Sequence, residues 1–193
     1  MQEKRIILAS ASPRRLELMS FAGIDFDVVP ADICEDVLPG EQPVDHVMRL
    51  SLEKARAVSV KVESRFFIGA DTVVVLDDRI MGKPADEAEA TEMLTSLSGR
   101  SHEVITGFTV LDKATGTCSS QNVRTKVLFK SLTENEIKKY IATGCPMDKA
   151  GAYAIQGGAV HFIRSITGSY TNVIGLPMTE LYELLVTMKA LES

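Results

Sequence analysis

Two kinds of hydrophobic spacing alternate along the chain and predict alternating strands and helices. Short apolar runs predict strands over Ile6–Leu8, 26–29, Phe66–Leu76, 103–111, 123–129 and 160–166. Apolar residues at intervals of three and four predict helices over 13–22, 44–62, 87–98, 133–143 and from 177 onward. The stretches 30–43, 112–122 and 167–175 are polar and predict loops. Because 103–111 and 123–129 form a hairpin, we predict a mixed sheet with helices outside it, an α/β fold.

Local signals at the helix ends support these boundaries. Asp86 and Glu89, and likewise Thr133 and Glu136, have the spacing of a helix cap. The last helix is expected to turn these residues inward: Met178, Leu181, Tyr182, Leu185 and Met188.

Length and composition predict one globular domain over 1–193. The chain has 193 residues, of which 45% are hydrophobic and 24% charged. No apolar run reaches the roughly 18–20 residues that span a bilayer, and the first apolar run is too short for a signal peptide. We therefore expect a cytoplasmic protein without membrane contact.

Cysteine, histidine and net charge exclude several classes of function. Cys34, Cys118 and Cys145 form no CxxC pair, which argues against a disulfide framework and a structural zinc site. The three histidines are equally scattered and are interpreted as packing or surface residues: His46, His102 and His161. A net charge of −5 disfavours a nucleic-acid surface, which needs clustered positive charge. A small polyanion still fits if the positive charge lies in one pocket.

Residues 6–15, IILASASPRR, combine a short apolar strand, a loop of small residues and a helix start. Pro13 suits a first helical turn, because its φ is already helical and its missing N–H would be unpaired there. Free N–H groups at this helix end, with Arg14 and Arg15 beside them, would form an anion site. An ordinary strand, turn and helix with solvated arginines is the alternative.

The strand Phe66–Leu76 contains the polar segment GADT between apolar runs. Gly69 indicates a bulge or a close approach of another backbone. A carboxylate such as Asp71 is costly there unless it is paired, exposed in a cleft or bound to a metal. Five cationic residues in other segments can converge on it: Arg14, Arg15, Lys54, Lys83 and Lys149.

That combination suits hydrolysis of a phosphoanhydride. Cations offset the charge that develops on the phosphates, and a carboxylate binds Mg²⁺ or deprotonates water. The alternative is a buried, hydrogen-bonded Asp71 with solvated lysines. The sequence has no GxxxxGK[ST], GxGxxG or GxSxG motif, which argues against P-loop, Rossmann and α/β-hydrolase proteins.

Six segments occur in the order found in the Maf family of nucleoside triphosphate pyrophosphatases: SASPRR, GADT, GKP, SGRSHEVITG, DKAGAYAIQG and GSYTNVIGLP. The chain resembles that family from Leu8 to the last helix. The resemblance implies an elongated, two-lobed α/β fold similar to the inosine triphosphate pyrophosphatases, with the active site in a central cleft. It also implies hydrolysis between the α and β phosphates, with Mg²⁺ or Mn²⁺.

The same resemblance assigns roles to single residues. Asp71 is similar to the proton acceptor that activates water. The positions linked to substrate choice are Arg14, Thr72 and Gln156. The positions around the triphosphate are Ser12, Arg15, Lys54 and Lys83. Glu35, in the acidic loop, is assigned with Asp71 to the metal.

DKAGAYAIQG resembles the branch that acts on dTTP and UTP. Gln156 suits a pyrimidine, because an amide donates and accepts at once, but it can also flip to suit other bases. A homodimer is the default expectation for such an enzyme. The competing interpretations are a nucleotide-sensing regulatory protein of cell division with little turnover and, by fold analogy alone, hydrolysis of inosine nucleotides.

Overall fold

The computed structural model describes residues 6–192 of the chain. Its strands and helices, in chain order, are β1 (Ile6–Leu8), α1 (Pro13–Phe21), β2 (Asp27–Val28), α2 (Pro43–Ser59), β3 (Phe66–Leu76), β4 (Arg79–Met81), α3 (Glu87–Leu97), β5 (Ser101–Asp112), β6 (Thr117–Phe129), α4 (Glu134–Ile141), β7 (Ile163–Thr167), α5 (Tyr170–Ile174) and α6 (Met178–Thr187). Between residues 6 and 192, no helix is long and apolar enough to cross a membrane.

The strands form one mixed sheet in the order β2-β1-β3-β5-β6-β7, with β4 paired to β3. Strand β1 runs parallel to both of its neighbours, β2 and β3. The pairs β3–β5, β5–β6 and β6–β7 are antiparallel. Helices pack against this sheet, so the predicted α/β class with a mixed sheet is confirmed.

Strand β3 carries the GADT segment through the sheet without a break. It pairs with β5 continuously, from Phe66 opposite Asp112 to Val75 opposite Glu103. Gly69 therefore marks no bulge. The other expectation for this residue, a close approach of another backbone, is confirmed by helix α2.

Helix α2 lies directly on β3 and β5 at two glycines. A Cβ placed on Gly69 would lie 2.0 Å from the carbonyl oxygen of Ser51 and 2.8 Å from the backbone nitrogen of Ala55. A Cβ on Gly107 would lie 2.5 Å from the carbonyl oxygen of Val47. Since real Cβ contacts are never this short, the helix could not sit at this height over any other residue type.

Two large hydrophobic clusters form most of the core. The first joins β1, α1, β3 and α6, with Leu8, Met19 and Leu185 among its fully buried members. The second joins α3, α4, β5 and β6, with Leu94 and Phe129 among its members. Both clusters reach the surface at the cleft described below.

Several boundaries differ from the sequence-based prediction. Most of the stretch 112–122 is strand, because β5 and β6 stay paired as far as Asp112 opposite Thr117. The predicted strand 160–166 begins as a 3₁₀ turn, Val160–Phe162, and β7 starts only at Ile163. A short apolar run is compatible with either structure, and periodicity alone does not separate them.

Two further predictions concern the last third of the chain. The predicted loop 167–175 contains α5, whose N-terminus is capped by the Ser169 side chain accepting from the Asn172 backbone nitrogen. The prediction that Tyr182 points inward is wrong, since its side chain is 41% exposed. Leu184 fills the inner position of α6 instead.

The contact at Gly69 gives a test of this packing. We expect Gly69→Ala to lower the free energy of unfolding by about 1–3 kcal/mol, because the new methyl group must push α2 off the sheet. Gly82→Ala is the matched control, since nothing lies within 4 Å of a Cβ at that position. Urea unfolding of both variants measures the difference, and equal stabilities would contradict the close approach.

Candidate active site

A cleft of about 360 Å³ collects residues from distant parts of the chain. It is lined by eight of the nine predicted site residues: Ser12, Arg14, Arg15, Glu35, Lys54, Asp71, Thr72 and Lys83. Apolar and small residues supply much of the remaining lining: Ala9, Ala11, Ala31, Val74, Val104, Ala150, Ala154, Ile155, Val173 and Ile174. Such a cleft offers charges for an anion beside apolar surface for an organic ring.

The N-terminus of α1 borders this cleft, as residues 6–15 predict. Pro13 is the first helical residue and Ser12 is the N-cap residue. The Ser12 side chain makes no capping hydrogen bond, and the first turn has no acidic residue. The positive end of the helix dipole and the Ser12 hydroxyl are therefore available to an anion.

Arg15 is buried beneath the cleft and ties three segments together. Its Nε donates to the carbonyl oxygen of Gly175 at 2.8 Å, and its Nη1 donates to that of Ala70 at 2.8 Å. Nη1 also donates to Ser10 Oγ at 3.3 Å, and Nη2 donates to Thr72 Oγ1 at 3.0 Å. Four of the five guanidinium donors are thus used inside the protein. Burial lowers the pKa of Arg15, while the charge of Asp71 acts in the opposite direction.

Arg14, the next residue along the chain, has a different environment. Its side chain lines the cleft and makes no hydrogen bond or ion pair with any of residues 6–192. Its charge helps to lower the pKa of Asp148, although the hydrogen bond from Lys149 has the larger effect. Arg14 is consequently the arginine whose guanidinium is open to a ligand.

A chain of hydroxyl groups continues from Arg15 under the cleft. Thr72 Oγ1 lies 2.9 Å from Thr106 Oγ1 and 3.2 Å from the carbonyl oxygen of Gly175. Thr106 Oγ1 in turn donates to the carbonyl oxygen of Asn172 at 3.3 Å. Thr72 therefore links β3 to the segment GSYTNVIGLP, and its hydroxyl orientation depends on Arg15.

The two predicted metal-binding carboxylates meet at one lysine. Lys54 Nζ lies 2.8 Å from Asp71 Oδ1 and 2.7 Å from Glu35 Oε1. Lys54 is only 6% exposed and Asp71 7%. The alternative interpretation, in which the lysines are solvated, is thus wrong for Lys54. The reason is the close packing of α2 on β3, which brings this side chain onto Asp71.

The surroundings of Glu35 favour its ionised form. Partial burial acts to raise the pKa of Glu35, but the hydrogen bond and charge of Lys54 outweigh it. The charges of Lys83 and Arg15 add to that effect, so the pKa of Glu35 is lowered overall. Glu35 therefore remains a carboxylate at neutral pH.

His46 lies behind Asp71 and was missed as a site residue. Its Nε2 is 4.0 Å from Asp71 Oδ2, and its Nδ1 is 2.9 Å from Glu41 Oε2. Glu41 also binds Arg49 Nε at 2.6 Å through its other oxygen, and this hydrogen bond lowers the pKa of Glu41 far below its usual range. A scattered histidine gave no motif signal. Its position on α2, two turns before Lys54, is what could have indicated a shared face.

The GKP and DKAG segments meet on the opposite side of the cleft. Gly82 accepts a hydrogen bond at its carbonyl oxygen from the Gly151 backbone nitrogen, at 3.0 Å. Lys83 is exposed, lines the cleft and has no hydrogen bond or ion pair with another residue between 6 and 192. Lys149 instead pairs with Asp148 and does not line the cleft.

Tyr153 gives the DKAGAYAIQG segment a rigid base. Its hydroxyl lies 2.7 Å from Nε2 of the buried His102, and the two rings pack edge to face with Phe129. Burial lowers the pKa of His102 to about 4 and raises that of Tyr153. Gln156, three residues on, is half-buried and does not line the cleft, so its predicted role in substrate choice stays a prediction.

Comparison with known proteins places the chain in a family. The family model described as Maf-like protein matches residues 5–188. The chain belongs to the Maf-like family. The resemblance inferred from the six segments is thereby confirmed.

Several relatives of this Maf-like chain align over nearly their whole length. A protein of Geobacter sp. (strain M21) is 58% identical over 99% of each chain, and its name is dTTP/UTP pyrophosphatase. Proteins of Geobacter sulfurreducens and Pelotomaculum thermopropionicum carry the same name. The first is 56% identical over 99% of this chain and 100% of its own length. The second is 48% identical over 94% of this chain and 95% of its own length. The solved structure of the Staphylococcus aureus Ham1 protein covers 65% of this chain and 71% of its own, at 13% identity and a TM-score of 0.46, and is too distant to carry an argument.

The two neighbouring arginines allow a matched test of the network. Arg15→Lys keeps the charge but cannot reach four acceptors, so we expect the free energy of unfolding to fall by about 2–4 kcal/mol. Arg14→Lys should change it by less than about 0.5 kcal/mol, because no protein hydrogen bond is lost. Urea unfolding compares the two, and a similar loss in both variants would refute the division of roles.

Proposed function

We propose that this protein hydrolyses dTTP and UTP to the monophosphate and pyrophosphate. The observation that carries the proposal is the position of Asp71, a buried carboxylate in the wall of a cleft that also presents Arg14 and Lys83. The full-length relatives named dTTP/UTP pyrophosphatase support the same reaction and substrates.

The triphosphate would lie against the N-terminus of α1. Of the four cations that line the cleft, Arg14 and Lys83 have no side-chain partner among residues 6–192, so binding a polyanion costs them no existing ion pair. Ser12 and the first turn of the helix add hydrogen-bond donors. Arg15 contributes its positive charge from below, while its hydrogen bonds hold the loop, β3 and Gly175 in place. Charge stabilisation of this preorganised kind lowers the barrier for reactions at phosphorus.

Asp71 would serve as the general base. Its carboxylate takes one proton from water as the water oxygen forms a bond to the α phosphorus. The bond between the α phosphorus and the oxygen that bridges the α and β phosphates breaks. Pyrophosphate then leaves with the bridging oxygen and its electron pair. Lys54 holds Oδ1 of Asp71, whereas His46 stands 4.0 Å from Oδ2.

The residues present fit a divalent cation. Asp71 and Glu35 supply two carboxylates that reach the same point, although residues 6–192 contain no cluster of three or more His, Cys, Asp or Glu side chains. Mg²⁺ is commonly held by one or two carboxylates together with substrate phosphates. When bound there, Mg²⁺ or Mn²⁺ would polarise a phosphate oxygen and neutralise charge on the leaving pyrophosphate.

The preference for pyrimidines is assigned to Arg14, Thr72 and Gln156. Thr72 and Arg14 line the cleft, and Gln156 directly follows Ile155, which lines it as well. The amide of Gln156 can both donate and accept, as the edge of a uracil or thymine ring requires. The two-lobed arrangement, the homodimer and the cytoplasmic location stay predictions.

Substitution of Asp71, the proposed general base, tests the reaction itself. We expect Asp71→Asn to lower kcat for pyrophosphate release from dTTP and UTP by roughly 10²–10⁴-fold, because an amide cannot accept the proton. Asp78→Asn, in the exposed turn after β3, is the control and should retain activity. Release is assayed with Mg²⁺ and with Mn²⁺. Normal turnover by the Asp71 variant would remove Asp71 from this role.

The same assays of pyrophosphate release also distinguish an enzyme from a nucleotide sensor. A wild-type protein that binds nucleotides in these assays but releases no pyrophosphate with either metal would contradict the proposed reaction. It would favour the regulatory interpretation instead.

A second substitution tests the preference for the nucleobase of the substrate. We expect Gln156→Glu to change the ratio of kcat/KM between dTTP and purine triphosphates by about tenfold or more, since an ionised carboxylate cannot donate a hydrogen bond. Gln121→Glu, exposed on β6, adds the same charge away from the cleft and should leave the ratio unchanged. An unchanged ranking of nucleotides in the first variant would refute the assignment of Gln156.

A further inference from the structure

The ammonium group of Lys54 occupies the point where the two candidate metal ligands converge. We propose that Lys54 holds the place of the divalent cation in the nucleotide-free protein, and that the cation must displace it to bind Glu35 and Asp71. This inference rests on the proposed metal-assisted hydrolysis and adds to it a second role for Lys54, besides phosphate binding.

Three separate segments meet at this ammonium. Lys54 projects from α2, Asp71 belongs to β3, and Glu35 comes from the loop that precedes α2. The Nζ distances of 2.7 Å and 2.8 Å are those of charge-assisted hydrogen bonds to both carboxylates at once. Lys54 is thus a positioning residue that keeps the two carboxylates together before any ligand binds.

Charge balance explains why the ammonium and a metal ion exclude each other. Two neighbouring carboxylates repel one another, and the burial of Asp71 is costly unless a positive charge lies beside it. Lys54 supplies that charge in the nucleotide-free protein. A divalent cation between the same oxygens would lie within a few ångströms of the ammonium, and the repulsion is strong because Lys54 and Asp71 are both buried.

The displaced Lys54 side chain can bind the triphosphate instead of the two carboxylates. Lysine carries its ammonium on a flexible four-carbon stem, and Lys54 already lines the cleft in which the triphosphate is proposed to bind. A phosphate oxygen can replace the carboxylates as its partner. Cation binding and nucleotide binding are then coupled, so the cation should bind weakly to the free protein and more tightly when a triphosphate is present.

Lys83 is the matched control for Lys54. Both are lysines that line the same cleft, but Lys83 is exposed and has no hydrogen bond or ion pair within residues 6–192. Removal of either lysine lowers the positive charge of the cleft by one. Only removal of Lys54 frees the oxygens that the cation needs.

The first experiment measures Mn²⁺ binding without nucleotide, from the electron paramagnetic resonance signal of free Mn²⁺. We expect Lys54→Met to bind Mn²⁺ about tenfold more tightly than wild type, and Lys83→Met to change the affinity by less than about threefold. Equal or weaker binding by a folded Lys54→Met, or an equal gain in Lys83→Met, would overturn the proposal. Circular dichroism checks that the variants fold.

A second experiment uses the wild-type protein and does not depend on the folding of a variant. Lysines are acetylated with an N-hydroxysuccinimide ester, and the extent of labelling at each is read by mass spectrometry. Lys54 should be protected in the free protein and become at least about threefold more reactive on addition of Mn²⁺, as its carboxylate partners are taken. Lys83 should not respond. Protection of Lys54 that persists at saturating Mn²⁺ would overturn the proposal.

Hydrolysis is assayed on the same wild-type preparation. An active enzyme whose Lys54 stays protected overturns the role of Lys54 but leaves the proposed function intact. A protein that releases no pyrophosphate from any nucleotide with either metal overturns the proposed function, whatever the labelling shows.

Discussion

The close approach of helix α2 to the sheet is the constraint on which the site depends. Gly69 and Gly107 have no side chains, so the backbone of α2 rests directly on β3 and β5. The turn that touches Gly69 runs from Ser51 to Ala55 and includes Lys54. Two residues beyond Gly69 in the same strand stands Asp71. The contact that packs the helix on the sheet therefore also brings Lys54 onto Asp71.

Several charged side chains of this site are buried, and burial of a charge is expensive unless it is paired and hydrogen-bonded. Arg15 meets that condition with four hydrogen bonds, and the pair Lys54 and Asp71 meets it with a direct contact. These interactions come from segments far apart in the chain. The site is therefore fixed by the same contacts that compensate its charges.

The sequence was sufficient for the fold class and for much of the cleft. Hydrophobic spacing located β1, β3 and most helices, and the motifs identified eight residues that the cleft brings together. Spacing could not show that β5 and β6 extend through polar residues, since backbone pairing rather than side-chain burial holds that part together. It also could not find His46, because a histidine gains its role from Glu41 and Asp71, which are near it only after folding.

The two arginines of SASPRR show most clearly what folding adds. Adjacent residues on an α-helix point about 100° apart, so Arg14 and Arg15 must face different surroundings. Both arginines border the cleft, but Arg15 also reaches into the protein, where it donates to the carbonyl oxygens of Ala70 and Gly175. The buried Arg15 holds the wall of the cleft together, whereas the Arg14 side chain makes no hydrogen bond with the rest of residues 6–192. The proposed phosphate site needs both, since a guanidinium that already binds four protein acceptors has little capacity left for a phosphate.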